Sequence, residues 1–138
     1  MPSIMQALLP LVVAACLAAP AAAWSADRAC MIEGIVTVAG KPTAVKDCME
    51  FANAVPAEKL KAGCNGIAQM AAQTGDKPGK VTFLAQCPRP ASGACKGLLG
   101  QPVDAYYYNQ SAEALKEKRE GCEASVGAIK GGTWSNGQ

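Results

Sequence analysis

Seven cysteines and no histidine decide most of the chemistry open to this chain of 138 residues. Six of the cysteines, Cys30, Cys48, Cys64, Cys87, Cys95 and Cys122, follow an apolar leader, and Cys16 lies within it. An even set in an exported chain of this size reads as a disulfide framework. Zinc sites are usually built from close C-x-x-C pairs and histidines, and neither occurs here, so no metal is expected. The thioredoxin-type redox centre and the attached c-type haem are excluded on the same ground, and no cofactor is expected.

Without histidine, the commonest general base near neutral pH and the middle member of a Ser-His-Asp triad are missing together. Paired carboxylates can still run glycoside hydrolysis, so a carboxylate-dependent hydrolase is kept as an alternative. The acids, however, sit mainly among lysines. Glu113, Glu117 and Glu120 interleave with Lys116, Lys118 and Arg119 in the manner of a solvated helix face. A net charge of +2 gives no electrostatic footprint for nucleic acid. The reading is therefore a non-catalytic module.

The leader explains why disulfides are expected. Residues 1–23 carry no charged side chain, run apolar from Ile4 to Ala19, break at Pro20 and end in alanines. This is the layout of a secretory signal peptide, with Ala21 and Ala23 placed for a cut before Trp24. In the alternative, Val13-Ala14-Ala15-Cys16 acts as a lipoprotein box and Cys16 is lipidated; only then would the protein sit on a membrane. Residues 24–138 then form a single exported domain, periplasmic or secreted.

Within that domain the elements must bring the cysteines together. "CMIEGIVTVAGKP" predicts a strand ending at Gly40 and Pro42. After Thr43 as N-cap, Val45, Cys48, Met49 and Ala52 fall on one face of a predicted helix that stops near Asn53. Pro56 opens a second helix with Leu60, Cys64, Ile67 and Met70 or Ala71 as its buried stripe and Gly75 as its stop. "VTFLAQC" predicts a strand, "CPRPASGAC" a proline-rich connection, and strand character returns at Ala94 to Leu98 and at "VDAYYYN". Ser111 caps a last helix whose inner face includes Ala112, Leu115, Cys122 and Val126, interrupted by Lys118 and Arg119. The fold class is α+β: a short antiparallel sheet packed against two or three helices.

A helix returning over the sheet it has just left predicts a Cys95–Cys122 bridge; the local pair Cys87–Cys95 competes with it. By elimination the first leaves Cys30 with Cys48 and Cys64 with Cys87.

Four of the seven aromatic residues lie near the C-terminus: Tyr106, Tyr107, Tyr108 and Trp134. Strand alternation puts Tyr106 and Tyr108 on one face and Tyr107 on the other. One of these faces packs a core poor in large side chains. The other, with Trp134, is a candidate binding face for a protein, peptide or glycan of the envelope.

The run "GAC", then "AYYYN", then "GCEASVGAIKGGTW" resembles the C-terminal half of small exported bacterial proteins with no assigned activity, over residues 87–134. The resemblance implies an exported bacterial domain and carries no catalytic residue. Sequence alone thus points to a binding or structural module of the bacterial envelope or exterior, with a lipid-anchored version of the same domain as the runner-up.

Overall fold

The computed structural model describes residues 26–73 and 77–138. The signal peptide, Cys16, the cut before Trp24 and the Gly75 stop lie outside the described residues. The elements run β1 (Ala29–Val38), β2 (Lys41–Phe51), α1 (Ala57–Gln73), β3 (Lys80–Leu84), β4 (Gly93–Lys96), β5 (Val103–Tyr107), α2 (Ala112–Glu123) and β6 (Thr133–Ser135). The strands form one antiparallel six-stranded sheet in the order β3-β1-β2-β5-β4-β6.

The helix expected after Thr43 is instead β2. Residues 39 and 40 make a two-residue turn between the paired Val38 and Lys41, with φ of 49° at Ala39 and 75° at Gly40. Positive φ at both central positions is the hairpin turn whose twist matches paired strands, so β1 folds directly back into β2. Val45 and Met49 satisfy a period of two as well as the helical one, and pairing with both β1 and β5 selects the strand. Beyond Lys46 this hairpin outruns its neighbours, because β3 ends opposite Glu33 and β5 opposite Asp47. Its far half is a two-stranded arm.

Alternation along the strands makes two cores. Cys30, Ile32, Met49, Cys95, Ala105 and Tyr107 face the helices, with α1 over β1 and β3 and α2 over β4 and β6. Ala29, Met31, Cys48, Ala94 and Tyr106 face the other way and are covered by the proline-rich connection through Cys87 and Ala91. Each disulfide fastens a cover to its face. Cys30–Cys64 ties α1 down at a Cα separation of 6.3 Å, Cys95–Cys122 ties α2 at 5.7 Å, and Cys48–Cys87 ties the connection at 5.8 Å.

The Cys95–Cys122 bridge is as expected, and the other two pairs correct the elimination. Cys30 stands opposite Met49, and Met31 opposite Cys48, so Cys30 and Cys48 point to opposite faces of the sheet. The same argument separates Cys87, in the core away from the helices, from Cys95 on the helix side. Helix α2 also stops earlier than expected, at the cap Ala124. Val126 is exposed, in a tight turn that pairs it with Ile129, and Ala112 is exposed too.

Gly93 shows why "GAC" needs its glycine. A Cβ there would stand 2.4 Å from the Trp134 ring, which lies across this position to stack on Tyr107. Gly93→Ala is therefore expected to cost about 1 to 3 kcal/mol through overpacking. Urea unfolding followed by Trp fluorescence measures it; an unchanged midpoint would show that the ring does not occupy this position.

Candidate functional site

The structure divides the four aromatic residues between the two cores. Tyr106 is fully buried under the proline-rich connection. Its hydroxyl accepts from Arg89 Nη2 at 2.6 Å and from Lys96 Nζ, and both cations also lie over its ring, 4.6 and 4.4 Å from the centroid. Tyr107 is buried on the helix side and stacks on Trp134 with centroids 5.8 Å apart. Tyr108 is half-buried and donates from its hydroxyl to the Pro88 carbonyl at 2.6 Å. Burial pushes the Tyr107 and Tyr108 hydroxyls up to about 12.

The aromatic binding face expected from the sequence is thus corrected at two of its residues. Tyr106 and Tyr107 are core, because a sheet covered on both sides buries both sets of alternating side chains. Tyr108 and Trp134 keep only part of their surfaces in water.

The same region holds the acid pair most relevant to hydrolysis. Glu50 and Asp104 stand opposite one another on β2 and β5. Glu50 accepts from Arg89 through both oxygens, at 2.9 and 3.1 Å, and from the Cys87 N–H at 2.7 Å, while Asp104 holds Lys96 at 3.3 Å. Burial pushes the Glu50 carboxyl up, but these bonds and the charges of Arg89 and Lys96 outweigh it and hold the group below its ordinary range. A glycosidic acid catalyst needs the reverse, a carboxyl that keeps its proton. Here the carboxylates and cations lock the proline-rich connection onto the sheet.

The other face carries a different feature. Helices α1 and α2 flank the sheet and leave the arm of β1 and β2 between them as the floor of a trough. Val36, Val38 and Val45 line both halves of this floor, and Lys118 reaches in from α2. The hollow on the α1 side has a volume of about 360 Å³, and the one on the α2 side about 480 Å³. Val38 and Met70 are 58 % and 60 % exposed at the rim.

Asp47 lies in the floor, on the row between Ile32 and Tyr107. It is 8 % exposed. Its Oδ2 accepts from Lys118 Nζ at 3.2 Å, and that ammonium lies 4.7 Å over the Tyr107 ring. Its Oδ1 is buried with no hydrogen-bond partner among the described residues. Burial pushes the Asp47 carboxyl above its ordinary range, more than the Lys118 charge and hydrogen bond pull it down. A buried carboxylate served at one oxygen only is costly to the fold, and it stands beside an open apolar groove.

Neither residue was legible as a site. Asp47 was hidden by the helical reading of residues 44–53; read as a strand, Val45, Asp47, Met49 and Phe51 would have shown a charge in an apolar alternation. Lys118 did leave a signal, since it interrupts the inner stripe of α2 between Leu115 and Cys122, where a lysine needs a carboxylate across from it.

Among the described residues no cluster of three or more His, Cys, Asp or Glu is placed to hold a metal ion, and no helix is long and apolar enough to cross a membrane. Fold and site together define a small disulfide-bonded α+β domain, dominated by its sheet, with an apolar trough over a half-partnered carboxylate. The chain matches no protein-family model, no curated protein and no solved structure.

Proposed function

We propose that this protein is a non-catalytic binding module of the bacterial envelope or exterior, exported with cleavage before Trp24, and that it engages its ligand in the trough between α1 and α2. The observation that carries this reading is the aliphatic surface around Asp47 that the described residues leave uncovered, from Val36, Val38 and Val45 on the floor to Ile67 and Met70 on the wall. Soluble domains bury such surface unless it serves recognition. Three disulfides are in keeping with an oxidising compartment, and they use all six cysteines after Cys16.

The test compares the oxidised wild-type protein with the double variant Val38→Glu and Met70→Glu, both immobilised and exposed to envelope extract. These positions are exposed, so the variant keeps its fold, checked by circular dichroism. A component retained by the wild type and reduced at least about tenfold on the variant supports the trough, a tenfold loss corresponding to about 1.4 kcal/mol. Equal retention, or none on either, overturns it.

A further inference from the structure

Resting on that reading, we infer that the occupant of the trough is an amphipathic helix of a partner protein, with an aliphatic stripe against the floor and a lysine or arginine on the flank that meets α2. The first observation is a gap in the helix layer. Along the strand order, α1 covers β3 and β1 while α2 covers β4 and β6, so β2 and β5 lie between them. The centres of those two pairs are four strand spacings apart, about 19 Å at roughly 4.8 Å per spacing. Packed helices stand about 8 to 10 Å apart, so this width takes one further helix in contact with both neighbours. At Met49 and Ala105 the strip between the helices is already buried, and the gap is open over the arm. Residues 41–45 of β2 span about 16 Å there, the length of about three helical turns.

The second observation is the absence of backbone partners in the trough. Its floor is the face of a two-stranded arm and its walls are helices, so the main-chain groups of both are directed along the sheet or bonded within the helices. An extended segment laid in the trough would bury its own N–H and C=O groups against Val36, Val45, Ile67 and Met70. A helix satisfies those groups internally and presents side chains alone, which is how helical ligands use apolar grooves.

The third is charge. Asp47, Glu117 and Lys118 are the charged residues lining the two hollows, and Asp47 and Lys118 pair at 3.2 Å. Glu117, on the α2 wall, is exposed and has no ion pair among the described residues. The α1 wall, from Ile67, Met70 and Ala71, carries no charge. The complementary helix is therefore basic on one flank and apolar on the other.

The experiment selects peptides of about 16 residues, enough for about four helical turns, from a random displayed library on the oxidised mature protein. Peptides that also bind the double variant Val38→Glu and Met70→Glu are removed. Survivors should carry apolar residues at i, i+3 or i+4, and i+7, with lysine or arginine beside that stripe, and should gain helical circular dichroism on binding.

Glu117→Lys, at an exposed position, should weaken these peptides at least about tenfold and favour versions with glutamate in place of the basic residues. Apolar adhesion alone would not produce that reversal. Survivors with alternating or proline-rich patterns, or no survivors, would overturn the helical occupant. Equal binding of basic and acidic versions by the wild type would overturn the basic flank. Trough-dependent retention of an envelope component decides the proposed function separately.

Discussion

Replacing Cys95 and Cys122 together by alanine is expected to lower stability by about 3 to 4 kcal/mol and to free α2 before the sheet unfolds. The magnitude follows from loop closure. A sequence separation of 27 removes roughly this much chain entropy from the unfolded state when the loop is bridged. The order of events follows from what else holds the helix. Of the twelve residues of α2, only Cys122 is buried; Leu115 is half-buried, and Lys118 adds its bond to Asp47. A helix of this length is marginal in water without tertiary support.

Hydrogen exchange in the variant should therefore speed up across α2 well before it does so in β1 and β2. Urea unfolding gives the free energy. Peptide mapping of the oxidised wild type should show the Cys95 and Cys122 peptides joined; finding Cys122 linked to another cysteine, or α2 exchanging no faster in the variant, would contradict the fold at this point. The trough loses one wall in the same variant, so binding and α2 protection should fall together.

The second expected result is pH-dependent. Lys118→Met should cost about 2 kcal/mol at neutral pH, and the cost should fade in acid. Breaking a buried ion pair leaves an uncompensated charge and can cost about 3 to 5 kcal/mol. The lower figure is used because the Lys118 side chain is 36 % exposed, and solvent screens part of the loss. The Asp47 carboxyl is already raised in the folded state by burial, with Lys118 opposing that rise. Without the ammonium it rises further.

For a group with a raised folded pKa, the stability contribution is full below the unfolded value, here near 3.8, and is lost as pH rises through the folded value. The difference between variant and wild type should thus be largest at neutral pH and shrink as the pH approaches 4. Glu50 acts in the opposite sense. Its lowered carboxyl contributes stability above an unfolded value near 4.5 and loses it as pH falls through the folded value, so both proteins weaken in acid. Subtracting one denaturation series from the other removes that common part. A difference independent of pH would show that Lys118 acts through packing of its aliphatic stem instead.

The order of most elements could be read along the chain. β1, the stripe of α1 through Leu60, Cys64 and Ile67, the Ser111 cap of α2 and the strand at residues 103–107 are local patterns whose period, caps and turns lie in adjacent residues. The bridge from Cys95 to Cys122 was within reach for a related reason, since α2 follows β5 directly and folds back over the strands it has just left.

Tertiary structure alone decided what depends on which face a side chain takes. Residues 44–53 satisfy both periods, and only the strands on either side of β2 settle them as sheet. Once they are sheet, Cys30 and Cys48 are turned apart, Cys48 faces Cys87, and Asp47 lands beneath Lys118, 71 residues away in the chain. Cover on both sides of the sheet then buries Tyr106 and Tyr107 alike. A one-residue change in phase exchanges the two faces of a strand, so a pattern that leaves the phase open cannot tell a core carboxylate from a solvent one. That is why the sequence by itself determined the cysteine framework and the chemistry it excludes, while the trough and its half-partnered Asp47 arise only when β2 is paired on both edges and flanked by two helices.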